Sequence, residues 1–273
     1  MRIQTEEKVQ KPAENQGFCR DVEFDAFSIK VPVQRLSATA RHEMESAMTD
    51  TQIFEPDGRA IPYAVVGSGP ALVLIAGQGL NIGYLSTLAG SIAEADFRVI
   101  RVGSRRPPRE ADAVVSLHHL AQDVIDLMDH LDVAHAWVGG HAFGGSVART
   151  ASIDHHDRVN GVLLLAVDGP AGSKDAVDFS VIPESSRDRE VEAMQLAVRE
   201  ASAGDWSVLA PGVPVLVVQG TDDQVTPAAN GDDLQSSAPD RVSVVRIEGG
   251  GHMFPATHVG ATSWAIEDYL DWD

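Results

Sequence analysis

Three short stretches of this chain bring together residue types that do acyl chemistry elsewhere, and one of them lacks its central member. Gly140-His141-Ala142-Phe143-Gly144-Gly145 has the spacing of a nucleophile elbow, in which a serine tips a sharp strand-to-helix turn between glycines two positions either side. Here Ala142 holds the tip, and a methyl group cannot attack a carbonyl. Downstream, Gly220-Thr221-Asp222-Asp223-Gln224-Val225-Thr226-Pro227 places carboxylates on a loop that leaves a strand, and Glu248-Gly249-Gly250-Gly251-His252-Met253 delivers one histidine on a glycine-rich loop. An imidazole held by a carboxylate is a general base whether or not a serine stands beside it.

These residues need elements to carry them. Ala136-Trp137-Val138-Gly139 reads as a buried strand before the elbow, and Ser146 to Ala151 as the first turns of the helix after it. Val213 to Val218 and Val242 to Ile247 read as the strands that precede the acid and the histidine. The order elbow, acid, histidine, with each group at a strand's carboxyl end, resembles the α/β-hydrolase fold superfamily from Thr51 to Leu270. The resemblance implies an α/β fold with a mostly parallel central sheet, helices on both faces and a short lid insertion. It assigns the triad acid to Asp223, four residues before Pro227, with Asp222 as the alternative, and the base to His252. Ala142 occupies the nucleophile position.

By the same resemblance the backbone N–H groups of Gln78 and Phe143 form the oxyanion hole, because Ala76-Gly77-Gln78-Gly79 follows the apolar strand Ala71 to Ile75. Relatives often have a histidine where this chain has Ala76, so the bracing of the loop is open; the plain alternative is a flexible loop after a strand. Gly77, Met253 and Trp206 are expected at the substrate, with Phe143 and Met194 as further apolar wall or core residues. His141 is read as structural, and Ser146, one helical turn past the tip, as a poor substitute nucleophile.

The remaining elements follow from periodicity. Thr51 to Phe54 and Ala60 to Val66 read as a hairpin around Glu55-Pro56-Asp57-Gly58, Tyr84 to Ala95 as a helix, and Phe97 to Val102 as a strand. Ser116 is expected to cap a helix running to Leu131 with Leu117, Leu120, Val124, Leu127 and Met128 on one face. Residues 48–273 are expected to form the hydrolase-like domain, with the lid at about 169–211 and helical character from Asp188 to Ser202. Residues 1–47 match nothing in the family and are expected to be a disordered N-terminal extension, with Met48 as an alternative start.

The chain has 273 residues, enough for one sizeable core, and a formal net charge of −19 with a pI near 4.7. That charge argues against nucleic acid or an anionic membrane as partner and leaves a small molecule as the expected one. Cys19 is the single cysteine, so no intramolecular disulfide forms, and Met1 to Gly17 lacks the apolar centre of a signal peptide; a cytoplasmic location is expected. Adjacent pairs His118-His119 and His155-His156 diverge on a helix, and Gly67-Ser68-Gly69 lacks the helix and acid of a dinucleotide site, so neither metal nor cofactor is expected. Three functions fit these residues. One is hydrolysis of a small ester- or lactone-like substrate by His252 and Asp223 without a covalent step. The others are a non-catalytic small-molecule binder, and a serine esterase carrying a serine-to-alanine substitution at 142.

Overall fold

A computed structural model describes residues 51–108, 114–169, 177–202 and 207–270. The extension expected at 1–47 and Trp206 lie outside the described residues. In chain order the elements are β1 (Gln52–Phe54), β2 (Ile61–Val66), β3 (Ala71–Ile75), α1 (Ser86–Ala93), β4 (Arg98–Val102), α2 (Leu117–His130), β5 (Ala136–His141) and α3 (Phe143–Asp154). They continue as β6 (Val159–Leu165), α4 (Arg189–Ala201), β7 (Val215–Gly220), α5 (Ala229–Ser237), β8 (Val242–Ile247), α6 (Phe254–Thr257) and α7 (Val259–Leu270).

The strands form one sheet in the order β1-β2-β4-β3-β5-β6-β7-β8. The hairpin strands β1 and β2 pair antiparallel, β2 pairs antiparallel with β4, and every later pairing is parallel. Parallel strands are covered on both faces, which explains why the central ones are apolar at every position rather than at alternate ones. Val73, Ile75, Val138, Val162, Leu164, Val215 and Val217 pack with Val124, Met128 and Val147 of α2 and α3. Their neighbours Leu72, Leu74, Leu163, Leu165, Leu216 and Val218 pack on the opposite face with Leu88 and Ile92 of α1 and Ile266 of α7. Ser116 caps α2 as expected: its hydroxyl accepts from the His119 N–H at 3.3 Å, while the His119 ring takes the Ser116 N–H.

Chain direction within the sheet positions the site. After β3 the chain crosses to β4 on one side, and after β5 it crosses to β6 on the other, although β3 and β5 are hydrogen-bonded neighbours with Ile75 opposite Gly140. The loops leaving these two strands therefore diverge and open a crevice at their carboxyl ends, where ligands bind in open α/β sheets. Gln78 follows β3 and Ala142 follows β5.

Candidate active site

The reversal from β5 to α3 is made by one residue. Ala142 has φ 48° and ψ −111°, a left-handed conformation that costs a residue with a Cβ about 1–3 kcal/mol. Its N–H donates to the Leu165 carbonyl at 2.8 Å, and its own carbonyl accepts from Gly145 N–H at 2.9 Å. The turn is tight enough to demand the flanking glycines. A Cβ on Gly140 would lie 2.3 Å from the Gly144 backbone, and one on Gly144 would lie 2.5 Å from the Ile75 carbonyl oxygen. The helix begins at Phe143, three residues earlier than its periodicity indicates, and the Phe143 amide has no partner among the described residues.

The loop after β3 is tied down on both sides of Gln78. Gly77 N–H donates to the Tyr84 hydroxyl oxygen at 2.9 Å, and Gly79 N–H donates to Gln195 Oε1, on α4, at 2.7 Å. The amide between them, on Gln78, has no partner among the described residues. Further bonds stitch the loop to the segment ahead of α4, from Asp188 N–H to the Gly79 carbonyl at 2.8 Å and from Asn81 N–H to the Ser186 carbonyl at 2.8 Å. The bracing left open by Ala76 thus comes from Tyr84 and Gln195, neither of which local sequence spacing singles out.

Asp223 and His252 meet. His252 Nδ1 lies 2.9 Å from Asp223 Oδ2, with the Asp223 carboxylate fully buried and the imidazole nearly so. Val225 and Thr226 N–H donate to Asp223 Oδ1 at 2.8 and 2.9 Å, and the Thr226 hydroxyl donates to Oδ2 at 2.6 Å. Burial alone would push this carboxyl up, but the His252 ring and the Thr226 bonds outweigh it and hold Asp223 below the usual carboxylate range. Asp222 is exposed and its carboxylate accepts from the Thr221 hydroxyl at 3.2 Å, so Asp223 is the acid placed at the histidine. With Nδ1 facing an ionised carboxylate, Nε2 of His252 is left for other chemistry and has no partner among the described residues.

Gln78, Ala142, Phe143, His252 and Met253 line one cavity of about 390 Å³. Its apolar wall is completed by Leu80, Val177, Phe179, Leu196 and Val225, and two ion pairs sit on it, Arg187 with Glu192 and Arg199 with Asp168. Gly77 does not line this cavity; its N–H is spent on Tyr84. Met194 packs against the core instead, and its neighbour on α4, Leu196, faces the cavity. Ser146 lines a different cavity, of about 610 Å³, on the far side of the Asp168–Arg199 pair.

His141 is buried between the two loops. Its Nε2 lies 2.9 Å from the His252 carbonyl oxygen and its Nδ1 lies 3.0 Å from the Tyr84 hydroxyl. Burial, and then the neighbouring His252 ring, push its pKa down to about 3. It stays neutral and serves as a strut. Among the described residues no helix is long and apolar enough to cross a membrane.

No protein-family model matches the chain. The RutD carbamate hydrolase of Variovorax paradoxus is 31% identical over 108 residues, covering 38% of this chain and 41% of that protein. The zearalenone hydrolase of Bionectria ochroleuca is 28% identical over 121 residues, covering 42% and 46%. The chain thus spans less than half the length of these curated relatives. A thermophilic esterase from Thermogutta terrifontis superimposes with a TM-score of 0.65 at 20% identity, over 81% of this chain and 98% of the esterase. At that identity the likeness shows the fold.

Proposed function

We propose that this chain, which belongs to the α/β-hydrolase fold superfamily, hydrolyses a small ester- or lactone-like substrate with His252 and Asp223 as its general base and without a covalent intermediate. The observation that carries the reading is the shared cavity. His252, whose imidazole is held by a carboxylate, and Gln78 and Phe143, whose backbone amides have no partner among the described residues, line one cavity, in which the residue at the nucleophile position contributes only a methyl group. The curated relatives include proteins named for hydrolysis of a carbamate and of zearalenone, which supports an activity on small carbonyl compounds.

In this mechanism a water molecule takes the place of the missing hydroxyl above Ala142. His252 Nε2 removes its proton as the water oxygen bonds to the substrate carbonyl carbon. The oxygen of the resulting tetrahedral adduct is held by the N–H groups of Gln78 and Phe143, both main-chain donors that alanine at 142 leaves in place. The protonated imidazole, stabilised by Asp223, then returns its proton to the leaving oxygen as the carbon–oxygen bond breaks. Without the nucleophile, serine proteases retain only ~10³ to 10⁴-fold acceleration over water, so the reading is confined to activated esters and strained lactones.

Purified protein should hydrolyse p-nitrophenyl acetate without a burst, and His252→Ala should lose that activity by at least about 100-fold. Activity unchanged in His252→Ala removes the proposal. Alanine at position 142 favours a second reading, a cavity used only for binding. No turnover across activated esters and lactones, together with a ligand that raises Tm, would establish it.

A further inference from the structure

Three hydrogen bonds run in one direction across the site; of the residues in them, His141 and His252 line the substrate cavity, and Gly77 and Tyr84 stand behind it. Gly77 N–H donates to the Tyr84 oxygen at 2.9 Å, Tyr84 lies 3.0 Å from His141 Nδ1, and His141 Nε2 lies 2.9 Å from the carbonyl oxygen of His252. A carbonyl only accepts, so Nε2 of His141 carries a proton. A neutral ring then has a bare Nδ1, which takes the Tyr84 O–H, and the Tyr84 oxygen in turn takes the Gly77 N–H. Every donor has an acceptor and every acceptor a donor. A charged His141 would break this order, because its Nδ1–H and the Gly77 N–H would both aim at Tyr84 and leave the phenol proton without an acceptor.

The groups facing His141 agree with a neutral ring. Tyr84 sits at Nδ1, the His252 ring is 4.9 Å away centroid to centroid, Phe254 is edge-on at 6.4 Å, and Asp223 is the nearest carboxylate acting on it. Gly77 precedes the amide of Gln78, and the His252 carbonyl belongs to the residue that carries the base. The strut therefore joins the loop that carries the Gln78 amide to the loop that carries the base through side chains.

We infer that Tyr84 and His141 are positioning residues that set the distance between the Gln78 amide and the His252 imidazole. The inference rests on the hydrolytic reading for its kinetic consequence, and on geometry alone for the coupling. In a site with a serine, the hydroxyl hydrogen-bonds the imidazole and helps to aim it. Ala142 makes no such bond, so beside the hold of Asp223 on the ring the Tyr84–His141 bridge is what ties the His252 backbone to the Gln78 loop. A loosened bridge lets the oxyanion donors and the base drift independently, which weakens the transition state more than substrate binding.

The test uses the full chain labelled with ¹⁵N and three variants, Tyr84→Phe, His141→Leu and His141→Gln. A glutamine amide offers one acceptor and one donor on a neutral plane, so it can replace both bonds of the ring; leucine replaces neither. In wild-type protein, ¹⁵N spectra should show His141 with hydrogen on Nε2 and a bare Nδ1 across about pH 5 to 8, the range in which an ordinary histidine changes charge. Amide exchange at Gly77 should accelerate at least about tenfold in His141→Leu, although that amide bonds to Tyr84 and not to His141, and should return towards wild type in His141→Gln. With p-nitrophenyl acetate, kcat should fall about 10- to 100-fold in Tyr84→Phe and in His141→Leu at little changed KM, with no further loss in the double variant. A proton on His141 Nδ1, or unchanged Gly77 exchange in a folded His141→Leu, overturns the inference whether or not any ester is turned over. If wild type turns over no ester, the exchange result still decides the coupling, and only the hydrolytic reading fails.

Discussion

At the scale of single residues, Ala142 poses the sharpest question, because it holds the backbone conformation of an elbow without the side chain that usually justifies one. A residue with a Cβ at φ 48° and ψ −111° is strained, and glycine would relieve that strain at once. Ala142→Gly should therefore raise stability by up to about 1 kcal/mol in urea unfolding, the relief of the left-handed backbone outweighing the extra freedom of glycine in the unfolded chain. A loss of stability would show that the methyl packs against something worth more than the strain. Ala142→Ser asks a different question at the same atom. The turn would receive the hydroxyl beside the buried Asp223–His252 pair with no change of backbone. The variant should react with a fluorophosphonate and show a burst with p-nitrophenyl acetate. A folded Ala142→Ser that stays unlabelled would mean that the His252 Nε2 does not point at the tip.

At the scale of elements, helix α4 and the loop after β3 are bonded into one piece. Helix α4 sends the buried Gln195 back to the Gly79 amide, and Asp188 and Ser186, just ahead of the helix, share backbone bonds with Gly79 and Asn81. Gln195→Leu keeps the bulk but leaves a buried N–H without a partner, so it should cost about 1–3 kcal/mol in urea unfolding and lower kcat more than KM. Unchanged kinetics would show that the Gln78 amide is placed by Tyr84 alone. This coupling also marks how far the sequence could be read. Strands β3, β5, β7 and β8, the Ser116 cap and the Asp188 to Ser202 helix were legible because each has a local cause: apolar runs, a capping serine, a helical period. The start of α3 was not, since periodicity reports only residues past the first turn and Phe143-Gly144-Gly145 has no apolar rhythm. Asp223 and His252 were legible from their loops, whereas Tyr84 and Gln195 were not, because their partners are set by tertiary contact. Gln195 lies 116 residues from Gly79, and no spacing rule spans that distance.

At the scale of the whole molecule, the buried neutral His141 and the strongly acidic surface oppose each other as pH falls. Protonating surface carboxylates reduces the repulsion implied by a net charge of −19 and so stabilises the fold. His141 acts the other way. Its pKa is near 3 when folded against about 6.5 in an unfolded chain, so below about pH 6.5 the unfolded state binds a proton that the folded state does not. Stability contributed by the neutral ring is whole above pH 6.5 and is lost progressively as pH falls towards 3. Asp223, whose folded pKa is depressed, keeps its contribution until pH drops into the carboxylate range, so it is silent between pH 7 and pH 5. That window isolates the histidine. Comparing wild type with His141→Gln cancels the surface term, since both proteins share it. Between pH 7 and pH 5 wild type should lose about 2 kcal/mol relative to His141→Gln in urea unfolding, the amount set by an imidazole that is free to charge only when unfolded. Parallel pH profiles for the two proteins would mean that His141 can take a proton in place, and the strut between Tyr84 and the His252 carbonyl would then have to be redrawn with a charged ring.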